Sequence, residues 1–276
     1  MAVIEAGQWL RNGERLALPW SADRALQFGD GLFETMAVNQ GRIAFIERHL
    51  ERLQLGCERL GIEAPLPSQL EDELRKVIPE TGPAVVKLIL TAGSGGRGYQ
   101  RPVPQMPVRY IARFPWPEKG PESLAVLCCR LRLSRQPRLA GIKHCNRLEQ
   151  VLARQEIMEA GCDEGLLMDT EGNVIEGVTA NIFAVRKGRL LTPELDQAGV
   201  AGILRARVLE VAAQSGISVR VTAMDLNDIL EAEEIFMCNS LIGVRPVHRL
   251  SSDGQDHHWS TGSITTRLQT EINEWR

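Results

Sequence analysis

The sequence predicts an α+β protein of two domains, and three observations carry that prediction. Short strand-like runs bounded by tight-turn residues occur in both halves of the chain. Amphipathic helical stripes stand between them. One proline-bearing stretch, residues 115–121 with Pro-Trp-Pro and Lys-Gly-Pro, breaks the pattern as a linker does. The expected division is a first domain over 1–114, a linker over 115–122 and a second domain over 123–276. A chain of 276 residues is long enough to bury a core in each.

Bulk properties narrow the function classes. A net charge of −3 gives no footprint for nucleic acid or an anionic membrane as partner. The N-terminus lacks the basic and apolar regions of a signal peptide, and no apolar run reaches membrane-spanning length. The six cysteines form no CxxC pair and no framework spacing, so reduced thiols in the cytoplasm are expected. His257 and His258 read as loop residues, and no metal site is expected.

In chain order, the first segment reads as strand, turn at Asn12-Gly13, strand. Gly29 and Gly31 mark a bend before a strand over 33–38, which turns back at Asn39-Gln40-Gly41. Ile46, Leu50, Leu53, Cys57 and Leu60 make the stripe of an amphipathic helix that Gly61 stops. A second helix is expected near 69–77, then strands over 84–90 and 108–114 with a glycine-rich loop, 93–99, between them. The second half begins with a strand over 124–131, a short loop bearing Lys143, and a helix over about 146–160. Strands over 164–169, 174–176, 181–185 and 190–192 read as a compact antiparallel meander. A helix starts near Gly202, a strand covers 234–238, a polar loop covers 251–258, and a last helix begins near Thr261.

Two features suggest chemistry. A lone lysine on a loop is ordinarily a solvated charge, but Lys143 is followed about thirty residues later by Glu176-Gly177-Val178-Thr179-Ala180-Asn181-Ile182-Phe183. A lysine amine binds a carbonyl cofactor as a Schiff base, and a carboxylate keeps a pyridine nitrogen protonated. The glycine-led helix at 202 presents free N–H groups and a favourable dipole to an anion.

Taken together, these motifs resemble the fold-type IV pyridoxal-phosphate enzymes, with the D-amino-acid aminotransferase-like two-domain architecture. Matching segments run through nearly the whole chain: Phe28-Gly29-Asp30-Gly31-x-Phe33-Glu34, His49-Leu50-Glu51-Arg52-Leu53, Lys143, the 176–183 motif, 202–205 and 239–247. The resemblance, rather than spacing, makes Lys143 the candidate catalytic residue and the attachment point for pyridoxal 5'-phosphate. It implies that Arg52 grips the cofactor phosphate, a role suited to a planar, permanently charged fork. It further implies that the N–H groups of Gly202, Ile203 and Leu204 and the hydroxyl of Ser240 hold the same phosphate. Glu176 would face the pyridine nitrogen, with Asn181 also at the cofactor.

The loop Gly93-Ser94-Gly95-Gly96-Arg97-Gly98-Tyr99 and the run Lys143-His144-x-Asn146-Arg147-Leu148 are similar to the aminodeoxychorismate lyase branch of that family. The branches that transaminate usually place a tyrosine beside the reactive lysine, whereas Tyr99 and Tyr110, the two tyrosines here, are not adjacent to Lys143 in sequence. The implied reaction converts 4-amino-4-deoxychorismate to 4-aminobenzoate and pyruvate, with Arg97 and Asn239 at the substrate. The alternatives are a D-amino-acid or branched-chain aminotransferase and, more remotely, a pyridoxal-phosphate-binding protein without turnover. The resemblance also implies a homodimer.

Overall fold

A computed structural model describes residues 9–15, 22–95 and 98–273. It divides the chain into two units. The first takes Met1–Glu118 together with Ile142–Asn146, and the second takes Lys119–Gly141 and Arg147–Arg276. The first break therefore falls inside the proline-bearing stretch, and the short Lys143 segment groups with the first unit.

The first unit contains β1 (Trp9–Arg11), β2 (Glu14–Arg15), α1 (Arg24–Phe28), β3 (Gly31–Asn39), β4 (Arg42–Ile43), α2 (Ile46–Leu60), α3 (Pro67–Arg75), β5 (Ala84–Thr91) and β6 (Val108–Pro115). Its strands form an antiparallel sheet in the order β2-β1-β6-β5-β3-β4. The expected turns are present: Asn12 and Gly13 joining β1 to β2, and Gln40 and Gly41 joining β3 to β4, all have positive φ. Strand alternation decides what each face of β3 meets. Leu32, Glu34, Met36 and Val38 are buried on one face, while Phe33 and Thr35 are half-buried on the other. Gly56 of α2 shows which face carries the helix, because a Cβ there would come 2.8 Å from both methyl groups of Leu32. Leu50, Leu53 and Cys57, the predicted stripe of α2, are buried. Gly61 closes the helix in the left-handed conformation.

The second unit contains β7 (Leu124–Leu133), α4 (Leu148–Glu159), β8 (Glu164–Asp169), β9 (Val174–Gly177), β10 (Asn181–Arg186), β11 (Arg189–Pro193), α5 (Ile203–Gln214), β12 (Val219–Thr222), α6 (Leu226–Leu230), β13 (Glu234–Asn239), β14 (Gly243–Ser252), β15 (Gln255–His258) and α7 (Ser263–Asn273). The expected meander is corrected here. Both predicted hairpins form, β8 with β9 and β10 with β11, but they are separated in a sheet ordered β12-β11-β10-β13-β14-β7-β8-β9. Three strands intervene because β14 and β8 both pair in parallel with β7, and parallel partners need long crossovers that local periodicity does not reveal. The polar loop expected over 251–258 is also corrected. It is the β14–β15 hairpin, turned by Asp253 and Gly254 at positive φ, and the Asp-Gly pair was its sequence signal. One side of the sheet is sealed by Leu166, Ile182, Met237, Val247 and their neighbours. The α4 side is sealed by Cys129, Leu133, Ala153, Ile157 and Leu167.

Candidate active site

In the first unit, Lys143 is placed by backbone pairing. The N–H of Phe33 donates to the carbonyl of Lys143 at 2.9 Å, and the N–H of Cys145 donates to the carbonyl of Gly31 at 2.9 Å. Leu32 and His144 form the isolated bridge between these bonds, so the segment lies antiparallel along the start of β3. Asn146 anchors its end by donating from Nδ2 to the Gly29 carbonyl at 3.1 Å. This pairing carries the Lys143 ammonium over the Phe33 ring, with Nζ 4.5 Å from the ring centroid.

On the other face of β3, the Glu34 carboxylate is buried against α2. Arg52 donates from Nε to Oε1 at 2.8 Å and from Nη2 to Oε2, and His49 Nδ1 lies 2.7 Å from Oε2. Burial alone would raise the Glu34 pKa, but the Arg52 guanidinium and the His49 ring beside it hold it down, to about 2. Arg52 is thus oriented as a fixed plane by a bidentate partner. Two of its five N–H donors serve that purpose.

Arg97 lies outside the described residues, so the structure gives no account of the substrate role expected of it. The chain on its C-terminal side, residues 98–101, is firmly held. Arg24, buried on α1, donates to the carbonyls of Gly98 at 3.0 Å, Tyr99 at 2.7 Å and Gln100 at 3.3 Å, and to Asp30 at 2.8 Å. Arg101 grips the same Asp30 and the carbonyls of Leu60 and Gly61. Burial works to raise the Asp30 pKa, but the bonds from Arg101 and Arg24 outweigh it and lower it. On the incoming side, Asp23 accepts from the hydroxyls of Thr91 and Tyr110, each at 2.9 Å.

In the second unit, Glu176 stands at the end of β9 and is 5% exposed. Its Oε2 accepts the N–H of Val200 at 2.9 Å. Asn181, at the start of β10, donates from Nδ2 to the Val200 carbonyl at 2.8 Å. The two side chains therefore fix one turn, which leads into Gly202 and α5. Gly202 caps α5 in an extended conformation with no side-chain cap bond, so the first amides of the helix, Ile203 and Leu204 among them, have no acceptor within the helix itself. A Cβ at Gly202 would come 2.0 Å from Asn181 Oδ1. The position must be glycine for Asn181 to stay where it is.

Ser240 comes directly after β13, at a turn that Asn239 shapes. Asn239 Oδ1 accepts from the N–H groups of Leu241 and Ile242, each at 2.8 Å, and its Nδ2 donates to the Thr179 carbonyl at 3.0 Å. This ties the Ser240 turn to the turn between β9 and β10. Glu164 fixes that second turn from beneath. Its buried carboxylate accepts from the N–H groups of Gly165, Val178 and Thr179 and from the Thr179 hydroxyl. Burial raises its pKa, only partly offset by those four donors.

The first unit thus offers a primary amine on one face of β3 and a fixed guanidinium on the other, and the second brings a buried carboxylate to the turn that leads into a helix N-terminus. The model of the amino-transferase class IV family matches residues 31–250. The chain belongs to the class IV aminotransferase family. An aminodeoxychorismate lyase from Vibrio harveyi is 37% identical over 258 residues, covering 91% of this chain and 94% of that protein. The crystal structure of 4-amino-4-deoxychorismate lyase from Pseudomonas aeruginosa is 41% identical with a TM-score of 0.88, covering 95% of this chain and 97% of that one. A T.th. branched-chain aminotransferase solved with pyridoxamine 5'-phosphate is 25% identical with a TM-score of 0.83, covering 97% and 93%.

The class IV assignment gives the sequence motifs a common context. Three residues that matter here are not candidates from sequence. Glu34 stands in a family motif with no role of its own, yet it is the bidentate partner of Arg52. Arg24 and Glu164 each organise a turn through several backbone contacts. The available signal is indirect: an arginine and a glutamate in otherwise apolar or turn-rich surroundings need buried partners.

Proposed function

We propose that this class IV chain is a pyridoxal-phosphate-dependent lyase that converts 4-amino-4-deoxychorismate to 4-aminobenzoate and pyruvate. The Lys143 amine over Phe33, held by the pairing of its segment with β3, is the observation on which the mechanism rests. The similarity to lyases of 37% and 41% identity over nearly full length supports the reaction class. The residues present fit the cofactor. Gly202 leaves a cradle that a side chain would fill, with helix N–H groups suited to a phosphate, and Glu176 offers a fixed carboxylate.

When bound, pyridoxal phosphate supplies a carbonyl for the substrate amine and a pyridine ring that withdraws electrons. Lys143 would hold the cofactor through Nζ in the resting enzyme, and the same amine, free when substrate is bound, would take the proton from ring carbon C4. Glu176, oriented by the Val200 amide, would keep the pyridine nitrogen protonated by its charge. In the second unit the Ile203 and Leu204 N–H groups and the Ser240 hydroxyl would hold the phosphate; in the first, Arg52, its plane fixed by Glu34, is a guanidinium suited to the same anion. Asn181 steadies the Val200 turn on which Glu176 depends. Arg97 and Asn239 serve the substrate. Breaking the ring C3–O bond expels enolpyruvate, which takes up a proton to become pyruvate, and the ring left behind is aromatic, which drives the reaction forward.

A homodimer in the cytoplasm is part of this reading. The exposed apolar side chains of Leu148, Val151, Leu152 and Met158 on α4 support self-association. No helix among the described residues is long and apolar enough to cross a membrane.

The deciding test is a visible absorption spectrum of the purified protein, before and after aminodeoxychorismate, with 4-aminobenzoate and pyruvate assayed. A visible cofactor band, lost in Lys143→Ala, together with both products is the expected result. A band without products, bleached by an amino acid and restored by 2-oxoglutarate, assigns an aminotransferase instead. No band after adding pyridoxal phosphate overturns the reading of Lys143.

A further inference from the structure

We infer that Lys87 is a substrate-binding residue that holds one of the two carboxylates of the substrate, an inference that rests on the lyase reading. The register of β3 against β5 sets Lys87 opposite Thr35 and Phe33 opposite Ile89. All four side chains therefore lie on the face of the sheet away from α2. They are only half-buried, whereas Val86, Leu88 and Leu90 on the α2 face are fully buried.

The Lys87 ammonium lies 5.4 Å from the centroid of the Phe33 ring, the ring that carries the Lys143 ammonium at 4.5 Å. The two amines are thus no farther apart than the sum of those distances. A group bound at Lys87 falls within one small molecule's reach of the atom at which Lys143 would act.

The partners of Lys87 distinguish it from four arginines of its unit. Arg24 and Arg101 meet Asp30, Arg52 meets Glu34, and Arg109 meets Glu73. Among the described residues Lys87 meets no carboxylate and no hydrogen-bond acceptor, only the Phe33 ring. A half-buried ammonium is stabilised weakly by a ring and strongly by a desolvated anion. Aminodeoxychorismate carries two carboxylates, each of which calls for a cation.

The test uses the holoenzyme and two variants, Lys87→Met, which keeps the aliphatic stem over Phe33, and Lys87→Arg, which keeps the charge. Lys87→Met is expected to raise KM for aminodeoxychorismate about ten- to a hundredfold, with partial recovery in Lys87→Arg. Calorimetric binding of chorismate, which has both carboxylates but no amine, weakens in parallel. If 4-aminobenzoate binding also weakens, Lys87 holds the ring carboxylate; if chorismate alone weakens, it holds the enolpyruvyl carboxylate. Unchanged KM and binding in Lys87→Met, with wild-type turnover intact, overturns the role of Lys87 alone. So does a shift in the pH titration of the visible band with affinities unchanged, which would make Lys87 a neighbour that tunes Lys143. Wild-type protein that forms no 4-aminobenzoate overturns the lyase reading and this inference with it.

Discussion

Glu34 holds Arg52 across both carboxylate oxygens, Nε to Oε1 at 2.8 Å and Nη2 to Oε2, on the face of β3 that packs on α2. The carboxylate is 1% exposed and the arginine side chain 10%. Removing one partner of a buried pair leaves an uncompensated charge. Glu34→Gln is expected to destabilise the protein by about 3 kcal/mol and to weaken cofactor binding. Urea unfolding of the cofactor-free protein and a pyridoxal phosphate titration check the two effects separately. Undiminished cofactor affinity would mean that Arg52 does not need Glu34 to present its guanidinium.

The same carboxylate predicts an acid dependence. Its pKa falls from the ordinary 4.5 to about 2 in the folded protein, so as pH drops below 4.5 the unfolded chain takes up the proton first. The stability contributed by Glu34 is complete above that value and is lost as pH falls through about 2. Urea midpoints measured across this range should converge for wild type and Glu34→Gln. A constant difference between them would contradict the lowered pKa.

Gly202 admits no side chain while Asn181 keeps its bond to the Val200 carbonyl. Gly202→Ala is expected to displace Asn181, disturb the turn that orients Glu176 and lower pyridoxal phosphate affinity by about tenfold or more, at a stability loss of about 1–3 kcal/mol. Cofactor fluorescence titration alongside thermal unfolding distinguishes a local defect from a global one.

Arg24 binds three successive carbonyls, those of residues 98–100, and the Asp30 carboxylate. Arg24→Met is expected to cost about 3 kcal/mol of stability and to speed protease cleavage between residues 98 and 101. If Arg97 binds the substrate as proposed, KM should rise more than kcat falls, because the glycine-rich loop bears it. Unchanged cleavage would mean that other contacts suffice to hold residues 98–101.

Local physics makes much of the fold legible in advance. The α2 stripe ending at Gly61, the β3–β4 turn at Gln40-Gly41 and the start of α5 at Gly202 are readable from apolar period and from residues that tolerate special backbone angles. The site is legible differently. Lys143, Arg52 and Glu176 are individually ordinary, and the order of family motifs singles them out. Arg24, Glu34 and Glu164 escape such a reading because their importance lies in partners far along the chain.

The sequence by itself determined most of the helices and strands and the family of motifs they carry, though β15 read as loop and α1, β12 and α6 went unforeseen. Tertiary structure decided which strands are neighbours and which charges meet. The β8–β9 and β10–β11 hairpins were foreseeable, but the insertion of β13, β14 and β7 between them was not. Nor was the pairing of the Lys143 segment with β3, across more than a hundred residues. Hairpins arise from backbone geometry within a few residues, whereas these arrangements come from long-range hydrogen bonding and burial that no local period encodes.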